Sequence, residues 1–163
     1  MDLEKLLGNR SFYAVENDLG AIVSENCRGY PMQVGCEHCR AAIDLVLWVI
    51  VDCDHRPDLR TEAKLGTLHD PKCPECGQRT HLAADLLLLR RRRDPVLIFS
   101  PDPATTDEED HFRTFYSFAR KLQSQMGSEF RPAWAWNASG KLVMPRLDRS
   151  RLQLALQWDD DNP

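Results

Sequence analysis

Two pairs of cysteines have the spacing of metal ligands: Cys36 with Cys39, and Cys73 with Cys76. Each Cys-x-x-Cys turn supplies two thiolates, and four thiolates complete a tetrahedral shell, so the pattern predicts one structural zinc ion. The second pair has the more favourable sequence, because Gly77 permits a positive φ immediately after the last ligand. A four-thiolate shell leaves no open position for a substrate water, so we expect no catalysis at this metal.

Other interpretations of the cysteines remain open at this point. A thioredoxin-like redox pair also uses Cys-x-x-Cys, but such a pair opens a helix, whereas the residues after Cys76 have the composition of a strand. The pairs could also be unrelated buried cysteines. Cys27 and Cys53 are left over, and residues 52–55, Asp-Cys-Asp-His, could form a second metal site or a catalytic group. A strand end that enters a polar loop explains that segment more simply.

The elements that must position the cysteines follow from the hydrophobic pattern. Residues 41–52 are rich in apolar, β-branched and aromatic side chains and predict a strand that is buried on both faces. Residues 57–64 predict a short helix, with Pro57 suited to its first turn and Gly66 to its end. Two further strands are predicted after the second cysteine pair, at 81–89 and 96–99.

Both sides of this centre carry further predicted elements. Residues 3–7 predict a short helix, and residues 11–26 predict a β-hairpin whose turn is at 17–20. A capping box that begins at Thr106 opens a helix that extends to Met126. Its apolar side chains recur at three- and four-residue steps: Phe112, Phe115, Tyr116, Ala119, Leu122 and Met126.

The last part of the chain has the patterns of β structure. Residues 133–136 and 142–144 flank a predicted turn at 137–140. An alternation of apolar and polar residues predicts a final strand with Leu152, Leu154, Leu156 and Trp158 on one face. Residues 159–163 predict a frayed acidic tail.

The chain has 163 residues, a net charge of −4 and a pI near 5.7. An acidic chain has no general attraction for nucleic acid or anionic membranes. The longest apolar run, residues 45–51, is far shorter than the roughly 20 residues that span a bilayer, and the acidic N-terminus lacks the form of a signal peptide. We therefore expect a cytoplasmic protein with no membrane partner, in which cysteines bind metal instead of forming disulfides.

Part of the sequence resembles the CpXC domain, a bacterial family named for its paired Cys-Pro-x-Cys motifs. The resemblance covers about residues 36–101 and is carried by the first cysteine pair with its strand, the segment 56–68, the second pair and residues 95–101. It implies that the zinc ligands are Cys36, Cys39, Cys73 and Cys76. Glu37 stands where the family name implies a proline, and residues 89–94 replace a Tyr-His-Asp segment of the family.

The predicted fold class is α+β: a zinc-ribbon-like β-sheet core with a short inserted helix and one longer C-terminal amphipathic helix. Residues 40–72 separate the two cysteine pairs and leave room for the strand and the short helix. Four regions are expected along the chain: an N-terminal hairpin extension over 1–30, a CpXC-like zinc-binding domain over 31–101, a helix with strands packed on it over 102–158, and an acidic tail over 159–163.

No nucleophile–base pair, phosphate loop or carboxylate pair stands out in the sequence, and the expected four-Cys site is coordinatively closed, so we expect a binding module and not an enzyme. The expected function is a non-catalytic zinc-binding module that mediates a protein–protein interaction in a bacterial multi-component system. Candidate contacts are Trp134, Trp136 and Trp158. The alternative is a nucleic-acid-binding zinc ribbon that uses a turn, expected to be solvated, formed by Arg90, Arg91, Arg92 and Arg93. A thiol–disulfide oxidoreductase is the least favoured function.

Overall fold

The computed structural model of the protein describes residues 20–163. Its five β-strands are β1 (Ile22–Ser24), β2 (Cys27–Gly35), β3 (Ala42–Asp52), β4 (Leu86–Leu89) and β5 (Leu97–Ser100). Its three α-helices are α1 (Pro57–Leu65), α2 (Glu108–Met126) and α3 (Arg149–Asp161). Two short 3-10 turns, Gly127–Glu129 and Pro132–Trp134, follow α2.

The strands form a single sheet in the order β1-β2-β3-β4-β5. Neighbouring strands are antiparallel except β3 and β4, which are parallel. A parallel pair needs a crossover connection, and here α1 and the loop with the second cysteine pair supply it. The predicted α+β class is confirmed, whereas the likeness to a zinc ribbon stays a prediction.

Helices cover both faces of the sheet, because successive side chains of a strand point to opposite faces. On one face Leu87 of β4 belongs to a core that includes Phe115 of α2. On the other face Leu88 belongs to a core that includes Leu59 of α1 and Leu152 of α3. The sheet is thus the middle layer of three, which explains why β4 consists of leucines alone.

Several predicted elements are confirmed. The central strand is β3, and α1 ends at Gly66, whose φ of +74° is left-handed. Helix α2 is capped one residue later than predicted, since the side chain of Asp107 accepts a hydrogen bond from the amide of Glu109. The strand predicted at 81–89 is shorter, because only its last four residues pair with a neighbouring strand.

The first two strands differ from the prediction. They are joined by a turn at Glu25 and Asn26, whereas the turn predicted at 17–20 lies mostly outside the described residues and the helix predicted at 3–7 lies entirely outside them. Strand β2 escaped prediction because its sequence contains two glycines and a proline, which are weak strand formers. Gly29 is required there, because a Cβ atom would lie 2.8 Å from the ring of Trp48 on β3.

The predicted last strand is wrong, because its residues form α3. Leu152 and Leu156, one helical turn apart, are fully buried, whereas Leu154 and Trp158 are 69% and 59% exposed. The spacing of these apolar residues fits the two-residue period of a strand, and the spacing of Leu152 and Leu156 also fits one turn of a helix. The chain forms the helix, so only these two leucines reach the core. The expected fraying is also wrong, since the helix continues to Asp161.

Between α2 and α3 the chain forms an irregular turn region. The turn predicted at 137–140 is confirmed, because Asn137 accepts amide hydrogen bonds from Ser139 and Lys141 through its side chain. Beyond it, Trp136 and Leu142 form an isolated bridge instead of a full pair of strands. None of the described helices is long and apolar enough to cross a membrane.

Candidate metal centre

The four paired cysteines come together at the end of the sheet where β3 begins. Their sulfur atoms all lie within 4.8 Å of one another, and Cys36–Cys76 and Cys39–Cys73 are each 3.6 Å apart. Four sulfurs at about 2.3 Å from a zinc ion would be about 3.8 Å apart, whereas bonded sulfurs are about 2.05 Å apart. The cluster therefore has the spacing of a shared metal ion. It is the one such group among residues 20–163.

The two cysteine turns have the same backbone geometry. The amide of Cys36 donates to the carbonyl of Ala41 over 2.8 Å, and the amide of Cys73 donates to the carbonyl of Gln78 over 2.8 Å. The first turn is the connection between β2 and β3, and the second lies in the crossover that leads to β4. Each turn is thus closed by its own backbone, and the four sulfurs join the two turns.

The residue after each second cysteine is left-handed. Gly77 has a φ of +74°, and Arg40, at the equivalent place in the first turn, has a φ of +67°. Arg40 and Gly77 each donate an amide hydrogen bond to the carbonyl of the first cysteine of their turn, over 3.0 Å. The first turn therefore reaches the same geometry through a residue that is strained there.

The sulfur atoms receive hydrogen bonds from backbone amides. The amide of Cys39, together with that of His38, lowers the pKa of Cys36 to about 6. The amide of Ala41 lowers the pKa of Cys39, but burial and the neighbouring thiols, beginning with Cys73, raise it to about 12. Without a bound cation at neutral pH, the Cys39 thiol therefore stays protonated beside a Cys36 that ionises. A divalent cation removes this conflict, because it stabilises every thiolate that coordinates it.

A model of the family described as CpXC protein matches residues 34–158, about three-quarters of the chain. The chain belongs to the CpXC family. Its match extends past the region 36–101 that carries the resemblance in the sequence, and includes α2 and most of α3. No curated protein and no solved structure matches the chain.

In this CpXC chain the acidic segment after β3 forms a structural junction at the other end of that strand. The buried carboxylate of Asp52 accepts hydrogen bonds from Asn26, from the amides of Asp54 and His55, from the His55 ring and from Arg91. Burial raises the pKa of Asp52, but these bonds outweigh it and the pKa is lowered. Asp52 thus ties together three loops, and this geometry favours the simpler interpretation of residues 52–55.

The two remaining cysteines lie in the core between the sheet, α1 and α3. The sulfur of Cys27 accepts a hydrogen bond from the amide of Asp52 over 3.2 Å. Burial raises the pKa of Cys53 to about 12, so its thiol stays protonated at neutral pH. Both residues belong to the apolar core and lie outside the sulfur cluster.

The arginine run is not the solvated turn that its sequence predicts. Arg90 is buried and forms a 2.7 Å ion pair with Asp159 of α3, whose side chain is also buried. Arg93 donates to the backbone carbonyl of Asp159 over 2.8 Å, and Arg91 pairs with the buried Asp52. Arg92 is the member that is exposed. The sequence signal for these contacts is the acidic end of α3, whose negative charge is opposite to that of the arginines.

The left-handed Arg40 generates a first prediction. Arg40→Gly and Arg40→Ala remove the same charge, but only glycine adopts a positive φ without strain. We expect the glycine variant to be more stable than the alanine variant by about 1 kcal/mol. Denaturant unfolding of both metal-loaded variants measures this difference. Equal stability would show that the conformation of Arg40 carries no strain.

The buried ion pair generates a second prediction. Arg90→Gln leaves Asp159 buried with only Arg93 near it, so we expect a loss of about 3 kcal/mol in the free energy of unfolding. Arg92→Gln is the matched control, since an exposed side chain should change stability by less than about 0.5 kcal/mol. Chemical denaturation measures both variants. Equal losses of stability for Arg90→Gln and Arg92→Gln would contradict a stabilising role of the buried ion pair.

Proposed function

We propose that this chain is a non-catalytic zinc-binding module that mediates a protein–protein interaction in a bacterial multi-component system. The observation that carries the proposal is the closed cluster of four cysteine sulfurs. All four positions of a tetrahedral metal would be filled by protein, so the ion would serve structure and would not bind a substrate. Zinc is the ion that such structural sites hold most often, and iron is the other metal that suits four thiolates.

The geometry of the cysteines also supports metal binding over redox chemistry. A redox pair forms its disulfide within one Cys-x-x-Cys motif. Here the 3.6 Å contacts run between the motifs, from Cys36 to Cys76 and from Cys39 to Cys73. Each sulfur is therefore positioned against the other turn, as a shared ion requires.

A protein partner is supported by aromatic side chains that α2 leaves on the surface. Tyr116 is 48% exposed, and Phe112, one turn earlier, is also exposed. The ring of Tyr116 contacts that of Trp136 edge to face, with 6.4 Å between ring centroids. We name these three residues the aromatic surface. Tyrosine and tryptophan rings of this kind are enriched at protein interfaces.

Nucleic-acid binding by the arginine run is supported less well. Arg90, Arg91 and Arg93 already form ion pairs with aspartates of the same chain. Such arginines are not free to neutralise phosphates without breaking contacts that the fold uses. Since Arg92 alone is exposed, the run offers fewer charges to a polyanion than its sequence indicates.

The proposed interaction is tested by affinity purification of the tagged full chain from its native host. We expect one protein to co-purify in stoichiometric amount, and its recovery to fall when Tyr116→Asp places a charge in the aromatic surface. Ser124→Asp is the matched control, because it adds the same charge to an exposed position two turns along α2. Metal content should stay unchanged in both variants.

Two results would count against this function. One is the absence of any stoichiometric protein partner. The other is a recovery that disappears after nuclease treatment, which would favour the nucleic-acid alternative.

A further inference from the structure

A cleft of about 590 Å³ lies between the β4–β5 loop and α3. Its apolar surface includes Pro145, Ala155 and the ring of Trp158, and its polar surface includes Arg92 and Arg146. A cleft of this volume is in the range of small-ligand sites, which lie at roughly 300–1,000 Å³. It is therefore large enough for one bulky side chain with its neighbouring backbone.

The charge of the cleft is opposite to that of the whole chain. Four arginines line it, Arg90, Arg92, Arg93 and Arg146, whereas only Asp94 and Asp159 oppose them. The chain as a whole has a net charge of −4. A local excess of cations in an acidic protein attracts a small anionic group while the rest of the surface repels a long polyanion.

Two of these arginines have donors without a partner among the described residues, but only those of Arg92 are exposed. The side chain of Arg90 is only 7% exposed, yet its Nε atom has no hydrogen-bond partner among the described residues. Arg92 is exposed and forms no ion pair with a described residue. The exposed guanidinium of Arg92, which lines the cleft, can therefore pair with a carboxylate that enters it.

Trp158 provides the apolar contact of the cleft. Its side chain is exposed, like that of Leu154, whereas Leu152 and Leu156 of the same helix are fully buried. The guanidinium of Arg93 lies 5.9 Å from the centre of its ring and holds one side of the indole. The ring lines the cleft and can anchor an apolar group there.

We propose that this cleft binds a short acidic segment of a partner protein, with an apolar side chain against Trp158 and carboxylates on Arg92 and Arg146. The proposal rests on the proposed function and specifies the chemistry of the partner. A peptide fits better than nucleic acid, because the cleft combines an apolar surface with a small cationic excess and three of the arginines are partly occupied.

The proposal is tested by NMR titration of the ¹⁵N-labelled, metal-loaded full chain with the peptide acetyl-Glu-Glu-Leu-Glu-Glu-amide. We expect saturable shifts of the Trp158 indole N–H and of the Arg92 side chain, which the corresponding Gln-Gln-Leu-Gln-Gln peptide does not cause. Arg92→Gln should weaken binding about fivefold, and added salt should weaken it further. Arg151→Gln is the matched control on α3, since Arg151 is exposed outside the cleft.

The proposal is overturned if the acidic peptide causes no saturable shift, if the glutamine peptide binds equally well, or if Arg92→Gln and Arg151→Gln act alike. Shifts at the same residues with an eight-nucleotide oligothymidylate, but not with the peptide, would assign the cleft to nucleic acid. Peptide binding without any co-purified partner would support acidic-peptide binding by the cleft and contradict the proposed function. A stoichiometric partner without peptide binding would contradict the proposed role of the cleft and leave the proposed function in place.

Discussion

The parallel pairing of β3 and β4 imposes the constraint on which the rest of the fold depends. After β3 the chain must run back along the sheet before it can enter β4, which pairs with the last three residues of β3. Residues 53–85 make this return, and the second cysteine pair meets the first one at the start of β3. A metal shared by the four sulfurs would fix the crossover at that point.

The opposite end of β3 is held by charge. Asp52 at the end of the strand binds Arg91, and Arg90 next to it binds Asp159 in the last turn of α3. Both aspartates are buried, so each needs its hydrogen-bond donors to remain in place. The two ends of the central strand thus use different chemistry for the same purpose, which is to attach connecting segments to the sheet.

The sequence predicts those elements whose formation depends on residues that are close together in the chain. The cysteine turns, β3 and α1 are all predictable, since their spacing, β-branched residues and terminal glycine act locally. Helix α3 was not predictable from alternation alone, because Leu152 and Leu156 reach the core only when α1 and the sheet are present to receive them. The burial of Arg90 depends on Asp159, which is remote in sequence and lies in a segment with the composition of a tail.

Metal analysis of three purified proteins, prepared without added metal, tests the central claim most directly. The wild type and Cys53→Ser should each contain about one zinc ion per chain, because Cys53 lies in the core outside the sulfur cluster. Cys73→Ser should contain much less zinc and should unfold at a lower temperature, since structural metal binding contributes directly to folding. A metal-free wild type with unchanged stability, or equal zinc in Cys73→Ser and Cys53→Ser, would contradict the account.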